Sequence, residues 1–350
     1  MLEDFNLQCP VPINTYANVT LAHGGGGRLT NRLIDTLFGS SFTNPELDER
    51  GDGAALTLPG GERLAFSTDS YVVHPLFFPG GDIGTLAVNG TCNDLAMCGA
   101  QPRWLSCGFI LEEGVPIESV ERVVKSMTEC AKAAGITIVT GDTKVVDRGK
   151  GDGIYVNTAG IGTISHNLPI LPSSIRAGDV VILSGDIGRH GMAIMAVREG
   201  LEFETTIESD CAPIWPAVKR LLDGGVDIHC LRDITRGGLS TALCELSEKS
   251  ELMISVSENA IKVPDDVRGA CEILGMDPMY VANEGRFIAF VPAEQTEKAL
   301  ELLRQEVVSE GAEIIGKAVE GQAGLVTLIS SIGTERIVDM LSGEQLPRIC

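Results

Sequence analysis

The sequence is poor in positive charge: 27 Lys and Arg stand against 48 Asp and Glu, a net charge of −21. No basic run interrupts this background. Neutralising a phosphate backbone takes clustered Lys and Arg, so the balance argues against nucleic-acid binding and against an anionic membrane surface. Nothing approaches the roughly 18 consecutive apolar residues of a bilayer-spanning helix. The start, MLEDFNLQCP, lacks the basic-then-apolar order of a secretory signal, and a cytoplasmic protein is expected. The ten cysteines include no CxxC and the five histidines no HxxH. That removes the usual structural zinc frameworks. Nine cysteines read as small, reduced residues among apolar neighbours. Cys350, the last residue, does not. No period of about 20–50 residues recurs, so a solenoid is excluded.

What is present is ordinary globular material, 44% hydrophobic and 21% charged over 350 residues. At roughly 150 residues per domain, two domains are expected. Leu64 to His74 and Ile154 to Ile164 read as strands. Ile117 to Ala134 reads as an amphipathic helix with Ile117, Val120, Val124, Met127 and Ala131 on one face, started by Pro116 and stopped by Gly135. Leu29, Leu33, Ile34 and Leu37 are also spaced for one helical face. The two-proline segment from Asn167 to Gly178 marks a domain boundary. Beyond it, helices are expected near 191–199, 238–249 and 295–306, and strands near 179–183, 286–291 and 324–330. The expected organisation is an arm with a glycine-rich loop (1–48), domains over 49–166 and 177–335, and a tail over 336–350. Each domain is α/β (α+β), a mixed sheet covered by helices. Ser342 to Cys350 lacks periodicity and would reach about 30 Å when extended, a mobile arm for its final thiol. Trp104 and Trp215 read as packing residues.

Four aspartates sit at small-residue corners: Asp52 in Gly51-Asp52-Gly53, Asp69 in Thr68-Asp69-Ser70, Asp94 after Asn93, and Asp142 in Gly141-Asp142-Thr143. Each alone reads as a turn residue or helix cap. Together they point to a magnesium–phosphate site, since Mg²⁺ commonly combines one or two carboxylates with substrate phosphates. Gly24, Gly25, Gly26 and Gly27 form a candidate phosphate cradle, because a backbone without side chains approaches oxygens closely. A flexible linker is the plainer reading of that run. Asp233-Ile234-Thr235-Arg236-Gly237-Gly238 opens a helix and offers either an anion site or a cap with a salt-bridged Arg236. Glu284, in Asn283-Glu284-Gly285-Arg286, is either a proton acceptor or a polar hinge. His23 borders the glycine run, and Arg189-His190-Gly191 is a weaker phosphate candidate; structural roles suit the other histidines.

At these motifs the sequence resembles a family. HGGGG, GDGAA, STDSYVV, VNGTCNDLAMCGA, TGDTKVV, DITRGGL and NEGRF resemble, over nearly the whole chain, the aminoimidazole ribonucleotide synthetase (PurM-like) ATP-binding superfamily. Lys144 directly after the TGDT corner and the terminal Pro347-Arg348-Ile349-Cys350 are similar to its hydrogenase-maturation branch, the HypE carbamoyl dehydratases. Cys9-Pro10 does not match the reactive cysteine motif of selenophosphate synthetases. Thiamine monophosphate kinase and the purine enzyme have no reason to end in cysteine. The resemblance implies a two-domain fold, a homodimer through the N-terminal domain, and ATP with Mg²⁺ between the domains.

It also implies ATP-dependent dehydration of an S-carbamoyl group on Cys350 to thiocyanate, as cyanide for the iron of nickel–iron hydrogenase. The carbamoyl donor would be HypF and the acceptor the HypC–HypD complex. Asp52, Asp69, Asp94 and Asp142 would hold the metal. Gly24 to Gly27, Asp69, Asp94, Asp142, Thr143, Arg236, Gly237 and Gly238 would bind nucleotide. Lys144 and Glu284 are the candidate bases, and a lysine must first lose its proton to serve. The α-carboxylate of Cys350 is expected to disfavour its thiolate. The alternatives are a small-molecule kinase or synthetase of this superfamily and a non-catalytic carrier.

Overall fold

The computed structural model describes residues 16–200, 206–342 and 348–350. Cys9, Pro10 and Pro347 lie outside the described residues. The arm carries α1 (Arg28–Leu33), which continues through wider turns over Ile34–Gly39, and α2 (Pro45–Asp48). Leu29 and Leu33 are partly covered, whereas Ile34 and Leu37 are 45% and 55% exposed. The arm lies on the C-terminal half through an Arg28–Asp339 ion pair and an Asn31–Glu245 hydrogen bond.

Two mixed sheets follow. The first comprises β1 (Ala54–Thr57) and β2 (Arg63–Tyr71), then, after the short ribbon β3 (Phe77–Phe78) and β4 (Gly81–Asp82), β5 (Gln101–Glu112), β6 (Thr137–Val146) and β7 (Ile154–Ile164). Its spatial order is β1-β2-β7-β5-β6. Strict alternation along β7 buries Ile154, Val156 and Thr158 while Asn157 and Ile161 face outward. Helices α3 (Ile83–Met97) and α4 (Ile117–Ala134) cover one face. The buried line of α4 is Val123, Met127 and Ala131; Ile117 and Val124, expected on the inner face, are 72% and 45% exposed. Val124 instead borders an open cleft of about 620 Å³ between α4 and β6, which leaves β6 uncovered on that side too.

The other face of this sheet is open. Phe66 on β2, Ile161 on β7 and Trp104 on β5 are cross-strand neighbours and remain exposed, Trp104 by 47%. Trp104 therefore does not pack within the chain, as its sequence reading expected; Trp215 is partly buried against the second core.

The second sheet joins β8 (Val180–Leu183), β9 (Cys230–Asp233), β10 (Met253–Ser257), β11 (Phe287–Val291), β12 (Glu313–Val319), β13 (Val326–Ile329) and β14 (Glu335–Val338), ordered β14-β13-β10-β12-β8-β11-β9. Helices α5 (Arg189–Arg198), α6 (Trp215–Asp223), α7 (Gly238–Ser250), α8 (Asp265–Leu274) and α9 (Thr296–Leu303) pack around it. Strand β14 extends past residue 336, where the tail was expected to begin, because its backbone pairs with β13. Helix α3 is apolar nearly all round because it is shared. Ile83 to Cys92 pack into the first core, while Ala96 and Met97 pack with Ile182 and Ile214 of the second half. No described helix is long and apolar enough to cross a membrane.

Candidate functional site between the two halves

The site forms where α3, β2 and the second sheet meet. Asp69 lies on the helix-facing side of β2, in line with buried Ser67 and Tyr71. Asp94, on α3, accepts a 2.6 Å hydrogen bond from the Ser67 hydroxyl. Asp233 ends β9, and Glu284 lies in the turn before β11; both are buried. These four carboxyls act on one another. Burial raises the pKa of Asp94 well above the carboxylate range, and the charges of Asp233, Asp69 and Asp52 add to it. Burial likewise raises Glu284, with Asp233, Asp69 and Asp210 adding and Arg236 opposing. Glu284 Oε1 has no hydrogen-bond partner among the described residues.

The backbone of Glu284 is fixed on both sides. Its carbonyl accepts from Asn93 Nδ2 at 3.1 Å, so α3 holds it from the other half of the molecule. Its N–H and that of Gly285 donate to the Asp210 carboxylate at 3.3 and 3.0 Å. A Cβ on Gly285 would lie 2.0 Å from the Asp210 carbonyl oxygen, so this approach requires glycine.

The glycine run packs directly on the turn that opens α7. Gly26 has φ +76°, and a Cβ there would lie 2.7 Å from the Arg236 Cβ. Arg236 donates to the Gly24 carbonyl at 3.2 Å and keeps solvent contact. Gly237 (φ +82°) and Gly238 (φ +64°) form the turn itself. Among the described residues Arg236 has no ion pair, so the salt-bridged reading gives way. Its charge faces Cys350, Asp69 and Glu284, which hold it protonated. His23 caps its own short turn through Thr20.

One of the four expected metal aspartates, Asp142, stands apart, and another, Asp52, is paired with an arginine. Asp52 is bound by Arg232, Nε to Oδ1 at 2.9 Å, and accepts from the Asp233 N–H at 3.3 Å. Asp142, Thr143 and Lys144 lie on exposed β6, at the opposite edge of the sheet from β2. Asp69 pairs in register with Thr158, Thr158 with Cys107, and Cys107 with Gly141. Three strand spacings place Asp142 about 14 Å from β2. Alternation turns it to the open face, where it pairs with Lys144, whose contact lowers the Asp142 pKa. Asp52, Asp69 and Asp94 thus converge and Asp142 does not, because sequence corners do not reveal which sheet edge each strand occupies. Among the described residues no three His, Cys, Asp or Glu side chains are grouped to hold a metal ion.

The chain terminus completes the site. Residues 343–347 of the expected mobile arm are outside the described residues, but Arg348 to Cys350 are docked. Val73 and Ile349 form an antiparallel bridge, with Val72 N–H donating to Cys350 O at 2.9 Å and His74 N–H to Arg348 O at 3.1 Å. The Cys350 thiol is pushed well up, chiefly by burial; Glu284, Asp69 and Asp233 add to the shift and Arg236 opposes it. The shift favours the protonated thiol, the direction expected from the sequence. The main cause is the pocket, not the α-carboxylate named from sequence.

Comparison with known proteins follows the same outline. The N-terminal domain of AIR synthase related proteins matches residues 50–164, and their C-terminal domain matches 176–329. The carbamoyl dehydratase HypE of Azotobacter vinelandii is 49% identical over 333 residues, covering 95% of this chain and 97% of its own. The chain belongs to the HypE family. A solved HypE in complex with ATP is 47% identical with a TM-score of 0.80, over 95% of this chain and all (100%) of the other. The HypE of a HypE–HypF complex is 44% identical with a TM-score of 0.84, over 88% and 99%. Within this HypE-type site, sequence reading placed Asp233 only in a helix-opening motif and overlooked Asn93 as the clamp on Glu284. The signal for Asn93 was a buried amide, like Asn89, in a helix built mainly of apolar and small residues.

Proposed function

We propose that this chain consumes ATP to dehydrate an S-carbamoyl group on Cys350 to thiocyanate, supplying cyanide for the iron of nickel–iron hydrogenase. The observation that carries the reading is the docked terminus, which sets Cys350 beside Glu284 and Arg236. A small-molecule kinase or synthetase has no use for its own last residue in its site, and a carrier has no use for a buried, unpartnered carboxyl there.

ATP makes the carbamoyl oxygen a phosphate leaving group, a change governed by positioning and electrostatics. Gly24 to Gly27 and the Arg236–Gly238 turn are the proposed nucleotide contacts within the chain. Asp69 and Asp94 suit Mg²⁺, which would shield phosphate charge and commonly takes only one or two carboxylates beside substrate oxygens. Asp52 serves by keeping Arg232 in place. Glu284 accepts the N–H proton as the C≡N bond forms: its Oε1 is buried with no hydrogen-bond partner among the described residues, and its raised pKa makes it a stronger base than an ordinary carboxylate. Lys144, ion-paired on the open face, does not reach that position within its own chain.

The open face of the first sheet is the proposed homodimer surface, since Phe66, Ile161 and Trp104 form one exposed apolar patch there. It also carries Asp142 and Lys144, so a partner subunit would cover them. Sedimentation should show a dimer that Ile161→Lys converts to monomer; a monomeric parent protein would count against the interface. The nine free cysteines among the described residues suit a reducing cytoplasm.

HypF is the proposed carbamoyl donor and HypC–HypD the acceptor. After carbamoylation by HypF and addition of Mg·ATP, the Cys350 peptide should lose the mass of one water. HypC–HypD should then return it to the free thiol. A carbamoylated peptide of unchanged mass would sink the assignment.

A further inference from the structure

The terminus docks in a conformation it does not hold by itself. Arg348 has φ +54°, a left-handed backbone that a non-glycine residue seldom adopts. Ile349 is 3% exposed, so its carbonyl enters the protein with it. A buried carbonyl without a donor penalises docking, because undocking returns it to water. The donor comes from α5. His190, fully buried in the first turn of that helix, lies with Nε2 2.6 Å from the Ile349 carbonyl oxygen.

The ring is held in one state for this task. Its Nδ1 is 2.8 Å from the Ser209 hydroxyl, which itself accepts the Cys211 N–H at 3.1 Å. The Ile349 carbonyl can only accept, so the neutral ring carries its proton on Nε2 and its Nδ1 accepts from the Ser209 hydroxyl. Phe78 packs edge-on at 5.5 Å between centroids and fixes the ring plane. At the other end of α5, Arg198 donates to the Arg348 carbonyl at 2.8 Å and to the His74 carbonyl.

We propose that His190 is a positioning residue for the dehydration: its Nε2–H, oriented by Ser209, latches the Ile349 carbonyl and so holds Cys350 at the reacting site. Sequence alone had marked the Arg189-His190-Gly191 turn only as a phosphate candidate. Arg189 is instead paired with Asp186, and His190 reads the chain's own terminus. The role in dehydration rests on the proposed function; the latch itself does not.

The test uses the full-length chain and its His190→Ala, His190→Gln and Ser209→Ala variants. Pulse alkylation with iodoacetamide, read by mass spectrometry on each cysteine peptide, reports exposure of Cys350. Fully buried Cys230 reports global unfolding. His190→Ala should label Cys350 about tenfold faster, the change expected for one lost buried hydrogen bond, with Cys230 unchanged. His190→Gln, which keeps an N–H donor near the Nε2 position, should restore most of the protection. Ser209→Ala should label faster than the parent, and it decides the question if His190→Ala unfolds. Parent-like labelling in both Ala variants overturns the latch. A Gln variant as fast as Ala overturns the hydrogen bond as its agent.

In the carbamoylated proteins, single-turnover dehydration should fall with the docked fraction while the ATP concentration for half-maximal rate stays constant. A changed ATP requirement with parent-like labelling would place His190 in nucleotide binding and overturn the proposal. Altered labelling in a protein that never dehydrates leaves the latch standing and removes the reaction.

Discussion

Replacing Glu284 by Gln should lower the single-turnover rate of dehydration by about 10²–10⁴-fold, the usual contribution of a positioned general base. The side chain keeps its size, and the Asn93 and Asp210 contacts are to the backbone, so the fold and the docked tail should persist. The sign of the pH dependence follows from the environment. Burial and the neighbouring carboxylates favour the protonated form, so the active, ionised base is reached only above the ordinary glutamate range. The rate should rise with pH through that raised pKa, and the limb should vanish in Glu284→Gln. Quenched mass spectrometry of the Cys350 peptide measures both. A variant as fast as the parent would transfer the proton-accepting role elsewhere.

Arg236→Met should slow the same step on the order of 10²-fold, as expected when one charged group facing developing negative charge is removed. Arg236 is the cation whose field meets Asp69, Glu284 and Cys350 together. Without it, the Glu284 pKa should rise further, because the one opposing charge is gone. The acid limb of the pH profile should therefore move to higher pH, which simple loss of a nucleotide contact does not do. Rate profiles at saturating ATP separate the two. An unshifted limb with a raised ATP requirement would confine Arg236 to nucleotide binding.

Local pattern carried much of the architecture. Alternation along Ile154–Ile164 and the Pro116 and Gly135 signals around Ile117–Ala134 were legible because each depends on a few adjacent residues. The face of that helix was read correctly at Val120, Met127 and Ala131 and wrongly at Ile117 and Val124. Ile117 and Val124 satisfy helical spacing but stay exposed, Val124 over the open cleft between α4 and β6. Trp104 failed as a core residue because nothing among the described residues covers the sheet face it occupies.

The acidic excess, the absence of metal-spaced cysteines and the position of Cys350 could be read from the sequence alone, because composition and spacing need no coordinates. So could Glu284, Arg236 and the glycine run as candidates. Tertiary structure alone decided which of them meet. Strand order sends Asp142 and Lys144 to one sheet edge, three strands from Asp69, and Arg232 takes up Asp52. Asn93, His190 and the docked Ile349 work through contacts between residues more than 100 positions apart, which no local pattern encodes.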